Sequence, residues 1–229
     1  EHLRRATAEE LLRFWETYYV PNNAVLVVVG DVDHEAVFAE AKHAFGWIPR
    51  CDDPPPVTIK EPLPGSPQTI ELEETKGPVP IVAAAYRTVG QSHPDAMAID
   101  LLMAILGGGE SSRLYRKIVD EEEAAVIAAA GAFSLEDDGV AAAGCALMPF
   151  GNAKKVFELI DAELDAIKAD GVTEAELTKA KGNMLKGFVG QWKTVESKAN
   201  AIGTAALFLG GVEALNRRAQ ECEAVTVAD

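Results

Sequence analysis

The stretch AAVIAAAGAFSLEDDGVAAAGCALM, residues 124–148, decides the fold. Two runs rich in Ala and Val, about Ala124–Phe133 and Val140–Met148, flank the acidic turn Glu136-Asp137-Asp138-Gly139. Short apolar runs bounded by turn residues read as strands, and a brief connection containing Gly joins them as a hairpin. Alanines at so many strand positions imply that helices approach the sheet closely. The residues that follow have helical signals: about Ala153–Ala169, Thr173–Gln191, Ser197–Leu209 and a short helix near Gly211–Cys222. Thr173 and Glu176 have the spacing of a capping box.

Toward the N-terminus, Val79–Val89 reads as a buried strand and Thr69–Thr75 as an edge or half-exposed strand alternating around Ile70 and Leu72, with a turn at Gly77-Pro78. Ser92–Leu106 reads as a helix with Met97, Leu101, Leu102 and Ile105 turned inward. Gly107-Gly108-Gly109 breaks it, and Ser111 or Ser112 caps a short helix to about Asp120. The order strand, strand, helix, helix, strand, strand, helices predicts an α+β two-layer sandwich: an antiparallel or mixed sheet covered by helices on one face.

Farther upstream, Thr7–Tyr19 is an amphipathic helix opened by the capping box Thr7/Glu10, with Leu11, Phe14, Trp15 and Tyr18 on one face. Pro21-Asn22-Asn23 turns the chain into Ala24–Val29, a continuous apolar run expected to be a strand covered on both faces. Asp33 caps a further helix, His34–Phe45, stopped at Gly46. The prolines of Cys51–Pro67 mark a stiff linker.

The net charge is −15 and the pI near 4.7, which argues against a dedicated nucleic-acid binder. The longest apolar run, 24–29, is far short of the roughly 20 residues of a membrane span. Cys51, Cys145 and Cys222 lie far apart, without metal spacing, so no disulfide framework is expected. The chain opens on Glu1 with no charged and apolar leader, and Thr226 stands where a helix would begin, so the chain is expected to be an excised or processed piece. The phrase around Thr7, preceded by 3–6, is echoed by 215–219 and Thr226, a hint of two long internal repeats.

Two blocks carry a family resemblance. Residues 19–33, YVPNNAVLVVVGDVD, with Phe45-Gly46-Trp47-Ile48-Pro49, resemble the Y-x-P-x-N, strand, G-D passage of the insulinase/pitrilysin zinc peptidases, the group that includes mitochondrial processing peptidase. Residues 106–115, LGGGESSRLY, resemble that family's glycine-rich GGG-x-SSRLY passage, in the same order. The resemblance implies two homologous α+β units joined by a linker, and two such halves closing around a peptide. Residues 1–50 would then be the end of a first unit, 51–65 the linker, and 66–229 most of the second, non-zinc unit. It also suggests that strand 24–29 closes the second unit's sheet, in cis or from a neighbouring molecule.

The family chemistry needs H-x-x-E-H on a helix, with two His as zinc ligands and the Glu as general base on zinc-bound water. Here His2, His34, His43 and His93 have no such spacing, so the resemblance places the zinc ligands upstream of Glu1 and none in this chain. Many relatives also supply an Arg and a Tyr after the SRLY helix; ungapped continuation puts Val119 and Val126 there. The glycines 107–109 lack the Gly-Lys-Ser/Thr of a phosphate loop. They read either as a plain helix connection or, by resemblance, as part of a substrate-binding set with Ser111, Ser112, Arg113 and Tyr115. Arg113 is equally read as tying the loop down and Tyr115 as packing at the helix base. Ser111 and Ser112 have no His/Asp arrangement for a nucleophile, and the acidic runs 121–123 and 136–138 read as solvated loops. Trp15, Trp47 and Trp192 read as packing residues.

The resemblance thus implies a piece of a zinc-dependent endopeptidase supplying chamber wall and subunit interface, inert alone. Its partners would be a peptide substrate, the zinc-bearing N-terminal half and a homologous partner subunit, as homo- or heterodimer. The rival is a degenerate non-catalytic subunit of the same fold acting as an interaction protein. The sequence does not choose between periplasm and cytoplasm.

Overall fold

The computed structural model describes residues 2–60, 62, 65–73, 77, 79–149 and 151–229, in two compact units, Glu1–Glu73 and Glu74–Asp229.

In the first unit the local signals hold. After α1 (His2–Arg5), α2 (Ala8–Tyr18) starts at the Thr7 capping box: the Thr7 amide donates to Glu10 at 2.9 Å and the Glu10 amide to the Thr7 hydroxyl at 3.2 Å. A 3₁₀ turn, Pro21–Asn23, leads to α3 (His34–Phe45), capped by Asp33. Asn22 fixes the residues after α3: its amide nitrogen donates to Asp53 at 2.9 Å and its oxygen accepts from the Cys51 amide at 3.1 Å.

Two expected strands do not form. Residues 24–29 form no regular element and belong to no ladder among the described residues, and Val25, Leu26 and Val28 are exposed. They are therefore not covered on both faces; among the described residues the strands of the sheet come from 81–147. Residues 69–73 likewise pair with none of the described residues, leaving Ile70 75% and Leu72 87% exposed; Glu74 and Thr75 of the expected strand, and Pro78 of the expected turn, lie outside the described residues. The reason is common to both. Apolar patterning selects an extended backbone, but a strand exists only where a neighbouring edge satisfies its N–H and C=O groups.

The second unit holds the sheet. β1 (Ile81–Val89) pairs antiparallel with β3 (Asp138–Leu147), which pairs antiparallel with β2 (Ala125–Ser134), in the order β1-β3-β2. The hairpin runs through Leu135–Asp137, with Phe133 opposite Val140 and Ala130 opposite Ala143. One face is covered. Between β1 and β2 the chain forms α4 (Ala96–Gly107) and a π-helical segment, Tyr115–Glu121; α5 (Ala153–Asp170), α6 (Glu174–Gly190), α7 (Val195–Phe208) and α8 (Ala214–Ala224) follow β3. Helix α4 begins at Ala96 rather than Ser92 because Pro94 and the turn at 91–95 precede it.

Helix α4 is apolar nearly all round and is buried on two sides. Met103 and Leu106 join Leu114, Ile118, Ala128, Ala143, Leu147 and Ile160 in the core against the sheet. Met97, Leu101 and Ile105 face a second cluster formed with Leu177 and Ala180 of α6 and Cys222 of α8. The close approach expected from the alanines is reached where α4 meets β2. A methyl group on Gly107 would fall onto the Ala130 amide nitrogen and within 2.6 Å of the Ala129 carbonyl carbon, so only glycine fits. All three cysteines are free thiols, and burial pushes the Cys145 thiol up to about 11. Among the described residues no helix is long and apolar enough to cross a membrane.

Candidate functional site

The glycine-rich block leaves the end of α4. Its three glycines have different duties. Gly107 is buried against β2, as above. A Cβ on Gly108 would crowd the Ala104 carbonyl, and Gly109 has φ of +94°, a backbone that side chains disfavour. These needs are local and geometric.

Arg113 is the anchor of the block. It is largely buried and grips Glu176 of α6 through two parallel bonds, Nε to Oε1 at 2.7 Å and Nη2 to Oε2 at 2.8 Å, and donates to the Gly171 carbonyl at 3.2 Å. The same Glu176 closes the capping box of α6: it accepts from the Thr173 amide and hydroxyl, both at 2.9 Å. Its bonds to Arg113, followed by those to Thr173, hold its carboxyl down at about 2, against the opposing effect of burial. The Arg113 guanidinium is correspondingly raised, chiefly by its hydrogen bonds to Glu176. The loop-tying role expected of Arg113 is thus its geometry. Tyr115 is half-buried at the start of the π-helical segment.

The two serines diverge. Ser111 is exposed, and its hydroxyl accepts from the Lys179 ammonium of α6. Ser112 is 5% exposed, and its hydroxyl has no hydrogen-bond partner. An unpaired buried hydroxyl costs about 1–3 kcal/mol. Both serines line a cavity of about 390 Å³ between the block and α6, together with Arg116, Lys179 and Asn183 and the apolar Ala104, Ile105 and Ala180. Arg116, Lys179 and Asn183 belong to no motif and were not legible as site residues. The available signal was weak: Arg116 follows Ser112 by four positions, and Asn183 follows Lys179 by four, so each pair shares a helical face.

A second feature is the sheet's other face. No helix covers it. Ala83, Ala129, Gly131, Ala142, Gly144 and Ala146 form a shallow apolar concavity, with Ile127 and Phe133 (69% exposed) at its margin.

Val119 and Val126, the positions reached by ungapped continuation of the block, carry no polar side chain. Val119 packs against the core, and Val126 sits half-exposed at a bulge between Ala125 and Ile127. The acidic run 121–123 is tied to lysines: Glu121 and Glu122 to Lys117 at 2.9 and 3.5 Å, and Glu122 to Lys155 at 2.6 Å. Asp138 of the hairpin pairs with Arg87. Phe14 stacks on Tyr18 at 4.6 Å between ring centroids. His34 and His43 stand exposed on α3, and His93 lies 3.7 Å from Asp95. Among the described residues no three His, Cys, Asp or Glu side chains converge to hold a metal ion, so a zinc centre does not fit them.

Comparison with known proteins fits this geometry. The family model described as "Peptidase M16 inactive domain" matches residues 5–184. The chain is 29% identical over 211 residues to the zinc protease PqqE of Helicobacter pylori, covering 91% of this chain and 47% of that protein. It is 28% identical over 229 residues to a zinc protease, ML0855, of Mycobacterium leprae, covering 99% of this chain and 51% of the relative. The crystal structure of a protease from Helicobacter pylori superposes with a TM-score of 0.89 at 27% identity, covering 98% of this chain and 55% of that one. The chain spans about half the length of the curated relatives it matches.

Proposed function

Because this chain belongs to the M16 peptidase family as an example of its inactive domain, we propose that it supplies the wall of a peptide-hydrolysing chamber and the interface to a zinc-bearing half, with no hydrolytic step of its own. The observation that carries this reading is the bare apolar face of the β1-β3-β2 sheet. A broad surface of Ala and Gly, uncovered by helices, leaves room for an extended peptide to lie close to the backbone.

In this reading residues 1–50 are the end of a first homologous unit, 51–65 the linker and 66–229 most of the second. The exposed apolar side chains of the first unit, Leu11, Phe14 and Trp15 on α2 and Val25, Leu26 and Val28 in the run 24–29, are the faces that an upstream half covers. Zinc, its ligands and the general base belong to that upstream half, and the chamber closes with a homologous partner subunit. In this reading the glycine-rich block, Gly107, Gly108, Gly109, Ser111, Ser112, Arg113 and Tyr115, faces substrate, with Ser111 its exposed hydroxyl and Gly107, Ser112 and Arg113 buried groups that set the loop's position.

The test pairs this chain with an upstream half bearing H-x-x-E-H. The chain alone is expected to cleave no peptide and to bind no stoichiometric zinc, and the pair to do both. Phe133→Asp on the bare face should slow cleavage by the pair at unchanged zinc content. Peptide cleavage with stoichiometric zinc by this chain alone would sink the proposal. The second reading, a non-catalytic interaction subunit, is favoured by Val119 and Val126 at the Arg and Tyr positions. It predicts a stable complex with the upstream half that cleaves nothing.

A further inference from the structure

Helix α8 is held to the second unit differently from its neighbours. Of its eleven residues only Ala214 and Cys222 are buried, whereas α5 buries Val156 and Ile160 and α6 buries Leu177. Side chains as small as these remove little apolar area from water, so the hydrophobic hold on α8 is slight. The middle of its inward face is charged. Arg218, four residues from both Ala214 and Cys222, stands 3.6 Å from Asp100 of α4 and 5.7 Å from the centre of the Phe188 ring of α6. Space remains on both sides of the helix. A cavity of about 600 Å³ lies between α8 and the residues that lead into α4, and one of about 400 Å³ separates it from α6 and α7.

The two ends of α8 complete the picture. Among the described residues no side chain caps its start, which follows Gly210 and Gly211, with φ of +72° and +131°. A Cβ at either glycine would meet open space, so both answer to backbone conformation rather than to crowding. Just before them the chain is fastened: the Phe208 carbonyl accepts from the Gln91 amide nitrogen and the Ser92 hydroxyl, each at 3.4 Å. At the other end the Lys181 ammonium of α6 donates to the carbonyls of Glu223, at 2.8 Å, and Val225, a cation placed on the last carbonyls of a helix.

We propose that α8 is a hinged flap: it pivots on Gly210-Gly211, is latched by Lys181, and opens while the sheet and its core stay folded, baring the apolar face of Met97, Leu101 and Leu177 with which Cys222 packs. The pivot sits beside a fastened carbonyl, so motion of α8 need not pull on α7. The surface beneath keeps its own support, because Ile105 of α4 and Ala180 of α6 belong to the same cluster and Met103 and Leu106 hold α4 to the sheet.

The three free thiols test this in one experiment: Cys51 is exposed, Cys222 lies under the flap and Cys145 lies in the core against the sheet. The 229-residue chain is alkylated with excess N-ethylmaleimide at several low guanidinium concentrations, and each cysteine is followed by mass spectrometry of its peptide. Cys51 should react at once. Cys222 should react roughly tenfold or more faster than Cys145, at a rate nearly independent of denaturant, because opening one helix exposes little surface. Cys145 should react only through unfolding of the whole unit, with a steep denaturant dependence. Lys181→Met should speed Cys222 by about tenfold and leave Cys145 unchanged. Gly211→Ala strains the closed backbone and should speed Cys222 by roughly fivefold, again alone. Cys222 and Cys145 reacting at one rate with one denaturant dependence, or Lys181→Met speeding both alike, would overturn the flap. A Cys222 rate unmoved by Gly211→Ala would overturn the hinge.

Discussion

The two units of this protein carry sequence signals of equal quality and reach opposite ends. In Glu1–Glu73 the helices start where their caps demand, yet the apolar face of α2 is open, with Leu11 60% exposed, and the run 24–29 pairs with none of the described residues. In Glu74–Asp229 the same kinds of signal, a Thr-x-x-Glu box before α6 and an Asn cap before α5, come with a core in which Leu106, Leu114, Ile118 and Ile160 are fully buried. Hydrogen-bond caps act within one turn and are satisfied wherever the chain goes. Hydrophobic burial needs a second surface, and only the second unit contains its own.

The sharpest way to break that contrast is at Gly107. Gly107→Val should remove α4 from β2 and leave the second unit unfolded or destabilised by more than about 4 kcal/mol, read from guanidinium denaturation. Leu106→Ala should cost about 2–5 kcal/mol in the same measurement, while Leu11→Ala in the first unit should change stability by no more than about 0.5 kcal/mol.

The next effect is smaller and depends on pH. Glu176→Gln strips Arg113 of its partner in a largely buried setting and should cost about 2–3 kcal/mol near neutral pH. The Glu176 carboxyl titrates lower in the folded protein, at about 2, than in the unfolded chain. Its contribution is therefore complete above the ordinary carboxylate range and fades as pH falls from there through about 2. The difference between wild type and Glu176→Gln in denaturation midpoint should shrink steadily over that window. A constant difference would show that the pair is not the source.

The smallest effect compares caps. Thr7→Ala and Thr173→Ala each remove a box and should each cost their helix about 1 kcal/mol. The first should appear as lost helical signal in circular dichroism with no shift of the second unit's unfolding midpoint. The second should shift that midpoint.

These contrasts also explain what the residues alone disclosed. The helices α2, α3, α5 and α6 were legible because capping and amphipathic spacing are written within a few residues of each other. The hairpin was legible because its turn is local. Residues 24–29 and 69–73 misled because their patterning specifies a strand but not a neighbour. The double burial of α4 was only partly visible: Met97, Leu101 and Ile105 read as inward, but nothing local says that Met103 and Leu106 face a different partner. Of the candidate site, Arg113 and the glycines stood out through their block. Lys179 and Asn183, more than 60 positions away, meet Ser111 and Ser112 only because α6 is brought back across the loop.

The double engagement of Glu176 has an evolutionary corollary. One carboxylate serves both a guanidinium on the loop and the first turn of a helix, so a change at position 113 removes half of its reason to be glutamate, and a change at 173 removes the other half. Positions 113, 173 and 176 are therefore expected to be inherited as a linked trio, and an alignment of descendants in which any one changes alone would show that the coupling is not felt.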